Sequence, residues 1–478
     1  MKKNRLFLLL ILVFSLAPAQ VIVNIPDANF KNALLSDATI NTNGDGEIQL
    51  VEATSYTGGM YIGSQNISDL TGLETFVNLS LLQCGDNPLT TLDVSNNANL
   101  QFLYSVQSQL NSLDISNNSE LLELNIENNN LSSIDVSNNP KLTDLNINRN
   151  TISSIDLSSN TDLQTFLADS NQLSSVDISN NPMLTEIRVN FNNLNSIDVS
   201  TNSALQGLFV VENNLTVIDV SKNLNLTQLY IEGNPISTLD VTNNTLLENL
   251  VCVRNNLSEI NLANNSELKL LAITENNLSE LDLSNNDKLF LLATWENQLT
   301  QLDVSNLSEL QFCYVENNLF TSLDLSNNPK LSRFTCNGND LNSLDMRSGN
   351  NTNIDLINAS DNPNLKCIFV DNSTFSQTNW TQIDPGSTFV ETETQCGTLS
   401  VEELSSQLFS VYPNPTSQNL FIDGELEIDR IEIINIFGQK VYQTNTTTVD
   451  TSSLTKGTYI LGVAFVSGAK AVRKFIKT

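Results

Sequence analysis

The sequence contains no histidine among its 478 residues, and this absence excludes several kinds of active site. Serine or cysteine nucleophiles activated by an imidazole, and zinc sites with imidazole ligands, both require histidine. The sequence also has no glycine-rich loop of the kind that cradles a phosphate group. A pair of carboxylates could still act on a glycosidic bond. Acidic residues recur here with a fixed period, so such pairs arise everywhere, and we expect a protein that is not an enzyme.

Basic residues are scarce, with 22 Lys and Arg against 53 Asp and Glu and a formal charge of −31. A chain with this excess of negative charge repels the phosphates of nucleic acids and anionic membrane surfaces. We therefore expect neither nucleic acid nor anionic lipid as a partner. The C-terminal part of the sequence is nearly neutral, so the excess negative charge lies in the part that precedes it.

Long apolar runs are missing except at the N-terminus. Lys2, Lys3 and Arg5 precede an apolar run over residues 6–17, and Ala17-Pro18-Ala19 supplies small residues before Gln20. This arrangement predicts a signal peptide over residues 1–19, because the run is too short for a membrane span. We expect an exported chain without a transmembrane segment.

A unit of 21 residues recurs between Asn78 and Asn350, with the pattern L-x-x-L-x-[VIC]-x-x-N-x-L-x-x-[LIV]-D-[VLI]-S-x-N. Each unit is too short to bury its own leucines, but stacked coils can share one core. Side chains alternate along a strand, so we expect Leu145 and Ile147 to point inward and Asn146 to face solvent. Stacked strands then form a parallel sheet. The unit that starts at Glu309 is predicted to slip by one residue, with Phe320 restoring the phase.

The repeat closely resembles the leucine-rich repeat family. The resemblance implies a repeat solenoid that is mainly β, with a parallel sheet along one face and capping structures at both ends. We assign residues 63–350 to this solenoid and residues 351–397 to a C-terminal cap.

Two polar residues recur in every unit. Asn150 and its equivalents follow the strand, where an inward amide would hydrogen-bond backbone groups of its own and a neighbouring coil. Asp135 and its equivalents form a row in which like charges about 5 Å apart repel by about 1 kcal/mol each in water. We expect each carboxylate to cap backbone N–H groups of the turn after it. The alternative is a row of calcium ions, but Asn261 interrupts the row and suits capping better.

The six cysteines fall into two groups. Cys84, Cys252 and Cys336 occupy an inward position that holds Val or Ile elsewhere, and Cys313 lies at or next to one, so we expect buried apolar residues. Pairing between Cys313 and Cys336 stays open. Cys367 and Cys396 follow the last regular repeat, and an exported chain meets oxidising conditions. We therefore predict a disulfide bond between these two that closes the end of the solenoid.

Residues 20–62 are predicted to cap the open first coil. A helix starts after Pro26, and the following segment matches the order of oxygen ligands, glycine and final glutamate in an EF-hand calcium loop. The predicted calcium ligands are Asn41, Asn43, Asp45, Glu47 and Glu52. The alternative is a glycine turn without metal, and no cofactor is otherwise required. This helix and loop resemble the cap of internalin-type repeat proteins.

The last part of the chain changes character after a predicted linker at residues 398–406. Residues 407–478 alternate β-forming and polar residues between turns, which predicts an antiparallel β-sandwich. Four segments of this part resemble the C-terminal sorting domain of type IX secretion substrates: residues 411–422, 433–442, 454–461 and 474–477. The resemblance implies a Gram-negative bacterium, export by the type IX machinery, and a place outside the cell or on its surface.

The outward strand positions are not constrained by the core, and their character changes along the array. Early units carry acidic and amide residues, whereas later units carry apolar and aromatic ones. An extended exposed apolar surface with aromatics marks an interaction site. The alternative is a sheet face that tolerates β-forming residues or is covered by another part of the chain. The predicted ligand-binding residues are Phe209, Val211, Tyr230, Val253, Leu291, Trp295, Phe312 and Tyr314, beside acidic residues at Glu123, Glu127, Asp144, Asp169 and Glu186.

The sequence therefore supports three hypotheses on function. The first is an exported, monomeric recognition or adhesion protein that presents its strand face to a protein or a glycan. The second is a structural component of the cell surface or matrix, stabilised by calcium. The third, a carbohydrate-active enzyme, has the least support.

Overall fold

The computed structural model describes residues 20–398, 409–424, 427–435, 438–466 and 470–478. The predicted signal peptide lies outside the described residues, as does the predicted linker after Thr398. Within the described ranges, no helix is long and apolar enough to cross a membrane. The chain forms two compact units, one ending at Phe320 and including Lys330–Asn339, the other comprising Thr321–Pro329 and the chain from Asp340.

The N-terminal cap contains helices α1 (Ala28–Ser36) and α2 (Leu50–Ser55). Asp27 begins α1 because its carboxylate accepts hydrogen bonds from the backbone N–H groups of Asn29 and Phe30 at 2.9 and 3.0 Å. Phe30 and Leu34 lie on one face of α1 and are fully buried. The cap thus places an apolar helix face over residues that the first coil would otherwise expose to water.

The solenoid consists of three-residue strands, one per coil, joined in parallel with a constant register. Leu145 pairs with Leu124 on one side and with Phe166 on the other. One sheet contains β1 (Gly59–Tyr61), β2 (Leu81–Gln83), β3 (Phe102–Tyr104), β4 (Glu123–Asn125), β5 (Asp144–Asn146), β6 (Thr165–Leu167), β7 (Glu186–Arg188), β8 (Gly207–Phe209), β9 (Gln228–Tyr230), β10 (Asn249–Val251), β11 (Leu270–Ala272), β12 (Leu291–Ala293), β13 (Phe312–Tyr314) and β15 (Arg333–Thr335).

Burial follows the predicted alternation. Leu145 and Ile147 are 1% and 0% exposed, whereas Asn146 between them is partly exposed. The predicted slip near Glu316 is wrong, because Phe320 occupies the same fully buried position as Leu299 one coil earlier while Leu319 is exposed. The outward row of each strand is therefore continuous through this region.

A row of buried asparagines follows the strands, which we call the strand-side row. The Asn150 amide nitrogen donates to the carbonyl oxygens of Ile126 and Ile147 at 3.0 and 3.1 Å, and its oxygen accepts from the backbone N–H of Leu131 at 3.0 Å. Each residue just before this row has a left-handed backbone, for example Arg149 at φ 54°. The amide thus joins its own coil to the preceding one and satisfies backbone groups at the bend.

A second asparagine row lies in the turns after the aspartates, which we call the turn-side row. Asn181 is 0% exposed and donates to the carbonyl oxygens of Leu157 and Asn160 at 3.1 and 2.8 Å. Its amide oxygen has no hydrogen-bond partner among the described residues. The same unpartnered buried oxygen recurs through the row at Asn97, Asn118, Asn139, Asn160, Asn202, Asn223, Asn244, Asn265 and Asn286.

The prediction that the aspartates cap their turns is confirmed. The Asp135 carboxylate accepts the backbone N–H of Ser137 at 2.9 Å, and these bonds with Ser137 lower the pKa of Asp135 below its ordinary value. Asn261 makes the equivalent bond to Ala263 at 3.0 Å. Capping requires an oxygen acceptor at this position, which either Asp or Asn supplies.

Lysine–glutamate pairs also connect neighbouring coils. The Lys141, Lys288 and Lys330 ammonium groups lie 2.5 to 2.6 Å from glutamates one coil earlier. All three pairs are partly exposed, so each contributes only about 0.2–1 kcal/mol.

The second compact unit holds the end of the solenoid. Its parallel sheet contains β14 (Ser322–Asp324), β16 (Ser343–Asp345), β18 (Cys367–Phe369) and β19 (Thr388–Val390), with β17 (Leu356–Asn358) and helices α3 (Ser373–Asn379) and α4 (Glu393–Thr398) nearby in sequence. A disulfide bond joins Cys367 to Cys396, with their Cα atoms 5.8 Å apart. Arg347 pairs with both Asp345 and Glu393 and lies 4.8 Å from the Phe369 ring, so it connects the last coils to α4.

The C-terminal residues form two antiparallel sheets. One contains β20 (Ser410–Tyr412), β21 (Asn419–Asp423) and β24 (Thr448–Asp450), and the other contains β22 (Ile428–Asn435), β23 (Lys440–Thr444), β25 (Gly457–Phe465) and β26 (Lys470–Lys477). Buried residues from both sheets, including Leu420, Ile433, Leu461 and Phe475, form their shared core. The predicted antiparallel architecture of this region is confirmed.

Candidate ligand-binding face

The strand face consists of the outward side chains of β8 to β13 and of the residues two positions after the end of each of these strands. The parallel register aligns Phe209 with Tyr230 and Leu291 with Phe312. Because each strand contributes one residue to each row, side chains 21 residues apart in sequence become neighbours about 4.8 Å apart across the sheet. Seven of the eight predicted ligand-binding residues are partly exposed on this face: Val211, Tyr230, Val253, Leu291, Trp295, Phe312 and Tyr314.

Phe209 differs from the other predicted residues because it is only 7% exposed. The Arg188 guanidinium lies 4.0 Å from the centre of its ring, and the Tyr230 ring stacks on it with a centroid distance of 4.8 Å. Gly207, on the same strand, leaves room for the Phe209 ring: an added Cβ there would lie 2.9 Å from it. Phe209 therefore positions Tyr230 and is itself covered from both sides.

Trp295, Phe312 and Tyr314 form the part of the face that is most suited to contact with a ligand. Phe312 meets Phe290 edge-on at a centroid distance of 6.5 Å, which fixes the orientation of both rings. Glu296, next to Trp295, is exposed, and Glu275 lies one coil earlier. The aromatic surface thus has an acidic rim.

The acidic part of the face lies toward the N-terminus of the array. Asp169 accepts the backbone N–H of Asn190 at 2.7 Å, and its own N–H donates to the Asn148 side chain at 2.6 Å. Burial raises the pKa of Asp169, because the neighbouring coils remove water from its carboxylate. Of the other predicted acidic residues, Glu186 pairs with Arg188, and Glu123 accepts the Tyr104 hydroxyl at 2.5 Å.

Sequence reasoning missed several residues of this face. Phe191 occupies the left-handed position of its coil at φ 54° and is 57% exposed. Arg254 pairs with Glu232 at 2.9 Å and also with Glu212, two coils away. Gly233 lies between them at φ 67°, and an added Cβ there would be 2.7 Å from the Glu212 carboxylate. Phe191, Gly233 and Arg254 all occupy the left-handed position of their coils and differ from the residues that most coils carry there. This difference in the sequence could have indicated the contacts of Arg254 and the exposure of Phe191.

The predicted calcium loop is held by its own hydrogen bonds. The Glu52 carboxylate accepts from the backbone N–H groups of Thr42 and Gln49 at 2.8 and 3.0 Å. Asp45 accepts from the Gln49 side chain at 2.8 Å, and Glu47 forms an ion pair with Lys31 at 2.6 Å. These hydrogen-bond donors and the Lys31 ammonium group therefore contact the carboxylates that would bind the calcium ion.

The other two predicted ligands also hold the loop. The side-chain oxygens of Asn41 and Asn43 accept the backbone N–H groups of Gly44 and Asp45 at 3.1 and 2.9 Å. Across the described part of the chain, no group of three or more Asp, Glu, Cys or His residues could hold a metal ion. The geometry fits a turn stabilised by carboxylates better than a calcium site, and calcium binding stays a prediction.

Four cysteines are buried and take no part in the disulfide bond: Cys84, Cys252, Cys313 and Cys336. Cys313 pairs in register with Phe334, so Cys336 lies diagonally across the sheet. Diagonal neighbours are about 7–8 Å apart, which exceeds the usual Cα separation of a disulfide bond. Burial raises the pKa of Cys313 to about 12, so its thiol is unreactive at neutral pH.

Comparison with solved structures gives a match over nearly the whole chain. The functional domain of InlJ from Listeria monocytogenes, described as including a cysteine ladder, has 25% identity and a TM-score of 0.68, and the match covers 96% of this chain and 98% of that chain. The repeats form an internalin-like leucine-rich repeat solenoid. The internalin InlF of the same species has 22% identity and a TM-score of 0.58, with 72% and 99% of the two chains covered.

A leucine-rich repeat protein of Leptospira interrogans, with 19% identity and a TM-score of 0.60 over 71% of this chain and 97% of that chain, has the same fold. No curated protein matches the sequence. Residues 410–478 match the family described as a secretion system C-terminal sorting domain. This internalin-like solenoid is thus followed by a domain that implies a secreted or cell-surface location.

Proposed function

We propose that the protein is a non-enzymatic recognition protein that binds a protein ligand through the strand face. The observation that carries this proposal is the partly exposed aromatic cluster of Trp295, Phe312 and Tyr314, whose members point away from the core and are not needed for it. Aromatic side chains at the centre of an interface contribute most of the binding free energy in many protein complexes. Leucine-rich repeat folds are suited to this role because one rigid sheet presents many side chains at fixed spacing.

Charge supports a protein ligand with a basic rim around an apolar centre. The chain carries a formal charge of −31, and Glu275 and Glu296 border the aromatic cluster. Opposite charges at the rim accelerate association and are screened by salt. We therefore expect the association rate to fall as the salt concentration rises, while the dissociation rate changes little.

The experiment compares wild-type protein with the double variant Trp295→Ala and Tyr314→Ala in affinity capture from surface extracts. Ligands identified by mass spectrometry are then purified, and their affinities are measured by calorimetry. Loss of two interface anchors of about 2 kcal/mol each, or about 4 kcal/mol together, should weaken binding by roughly 700-fold. Tyr61→Ala is the matched control, because Tyr61 is 70% exposed on β1, at the other end of the same sheet.

Equal affinity of the wild-type protein and the double variant for every captured protein would refute the proposal. Melting curves of both variants check that the fold is intact. The proposal includes export by a type IX system of a Gram-negative bacterium, for which the sorting domain at residues 410–478 is the support. A chain that lacks these residues should then remain inside the outer membrane.

The second candidate is a structural surface component, which the regular inter-coil hydrogen bonds and ion pairs favour. A calcium titration followed by thermal melting separates the two. A large stabilisation by calcium together with no captured ligand would support the structural role.

A further inference from the structure

A groove with a volume of about 670 Å³ opens on the turns that follow the aspartate row, away from the strand positions described above. Four consecutive turns line it with three positions of the repeat. One position contributes Asn264, Asn285 and Asn306, a second contributes Thr245, Ser266 and Asp287, and a third contributes Ala263 and Ser284.

The repeat departs from its own pattern at one side of this groove. Neighbouring coils have Asp240 with Thr242 and Asp282 with Ser284, whereas this coil has Asn261 with Ala263. Asn261 still caps the turn by accepting the Ala263 N–H at 3.0 Å, so the fold is maintained. At the wall of the groove, the change places the methyl group of Ala263 where other coils have a hydroxyl group, and it removes the negative charge from the nearby capping position.

A second departure lies at the other side. Leu307 replaces the asparagine of the turn-side row, and the Asn306 side chain donates to the carbonyl oxygens of Leu283 and Ser284 at 2.9 and 3.3 Å. The Leu283 carbonyl oxygen also accepts the backbone N–H of Asn286 at 3.0 Å, so Asn306 supplies in addition the side-chain bond that an asparagine at position 307 would have made. Its side chain is drawn toward the core and is partly buried, whereas Asn264 and Asn285 remain exposed.

Between these two departures lie polar groups that face solvent. The side chains of Ser266, Asn285 and Asp287 are exposed and can hydrogen-bond a ligand. An asparagine amide offers a donor and an acceptor side by side, and a carboxylate accepts two hydroxyl groups. The lining contains no lysine or arginine for an anion and little apolar surface for a hydrophobic ligand.

We propose that this groove binds a neutral oligosaccharide. Hydroxyl groups on adjacent sugar carbons match the paired donor and acceptor of Asn285, and Asp287 accepts further hydroxyl groups. The Asn264 nitrogen donates to the Thr242 carbonyl oxygen at 3.0 Å, so Asn264 offers its side-chain oxygen as an acceptor. Equivalent amides on successive coils are about 5 Å apart, a spacing comparable to one pyranose ring of an extended chain. The site is separate from the strand face, so the protein would hold a glycan and a protein ligand at different places.

The test uses neutral tetrasaccharides of glucose, mannose and N-acetylglucosamine, with a sulfated tetrasaccharide as the charged counterpart. Binding to the full chain is measured by saturation-transfer NMR and calorimetry. The variant Asn261→Asp with Ala263→Ser restores the pair that the other coils carry, so it should fold. We expect it to bind the preferred neutral tetrasaccharide at least about tenfold more weakly than the wild-type protein, about 1.4 kcal/mol.

Asn285→Ala should weaken binding similarly, and Asn138→Ala is its matched control because Asn138 holds the same position in a distant coil. Three results would overturn the proposal: no binding by any neutral tetrasaccharide, preference for the sulfated one, or undiminished binding by the restored variant.

Discussion

The two asparagine rows differ in whether a backbone group depends on the side chain for its hydrogen bond. One leucine substitution in each row can show this difference. Asn192 in the strand-side row accepts the backbone N–H of Leu173 at 2.9 Å, and that N–H has no other partner among the described residues. In Asn192→Leu this buried donor is left unpaired, which costs about 1–3 kcal/mol in addition to the bonds lost. The carbonyl groups of Ala168 and Val189 keep other donors, from Asn171 and Asn213.

Asn181→Leu in the turn-side row leaves nothing unpaired. The carbonyl groups of Leu157 and Asn160 retain the backbone N–H groups of Asn160 and Leu163 at 3.0 and 3.1 Å. Two hydrogen bonds are lost, at about 0.5–1.5 kcal/mol each, but a buried amide oxygen without a partner is also removed, which offsets part of that loss. Leu307 shows that the fold already tolerates leucine at this position.

We therefore expect Asn192→Leu to lower the free energy of unfolding by about 1–3 kcal/mol more than Asn181→Leu does. Urea unfolding followed by circular dichroism measures the difference. Native-state hydrogen exchange adds a local readout, because the Leu173 amide should lose protection in Asn192→Leu alone. Equal destabilisation by the two substitutions, or a larger effect of Asn181→Leu, would contradict the distinction between the rows.

Three further predictions concern charge and covalent bonding. Burial raises the pKa of Asp169, so its ionised form opposes folding at neutral pH. Asp169→Asn should therefore raise the melting temperature at pH 7. This gain should disappear as the pH falls toward 4, where the wild-type carboxyl group is also neutral. The turn bonds lower the pKa values of Asp135, Asp156 and Asp177 below their ordinary value, so the unfolded chain binds protons first as the pH falls. The contribution of these carboxylates to stability should therefore decrease below about pH 4, as melts at pH 3–6 would measure. Cys396→Ser removes the disulfide bond that closes a loop with a sequence separation of 29, and it should lower the free energy of unfolding by about 3–4 kcal/mol. Unfolding in the absence of reductant measures this loss, and reduced wild-type protein should show the same loss.

The solenoid could be predicted from the sequence because two features of the repeat indicate it independently. The apolar positions indicate a core shared between coils, and the recurring polar positions indicate turns at a fixed spacing. Leu145 and Ile147 had to be inward because no other arrangement gives each short coil a core. The role of the strand-side asparagines followed from the same logic. The unpartnered oxygens of the turn-side row could not be predicted, because hydrogen-bond geometry at a bend depends on atomic positions that a pattern does not contain.

The strand face was less predictable than the core. The outward position of Phe209 was clear from the alternation, but its burial depends on Arg188 one coil earlier and on Tyr230 one coil later. An outward residue is exposed only if its neighbours are small or turn away, and those contacts lie between coils. The predicted slip near Phe320 failed for a related reason, since Leu319 resembled a core leucine in sequence while the constant register gave the buried position to Phe320.

In a repeat array, a departure from the pattern is interpreted differently at an outward strand position and at a turn position. An outward strand residue such as Trp295 can vary without effect on the core, so its aromatic character can be set by a ligand. A turn residue is more constrained, because the aspartate and both asparagine rows satisfy backbone groups there. The turns beside the groove depart from the pattern at Ala263 and Leu307, and neither change improves the backbone hydrogen bonding of the turn. Restoring the repeat at residues 261 and 263 should therefore stabilise the turn or leave it unchanged, while it weakens binding of the neutral tetrasaccharide at least about tenfold.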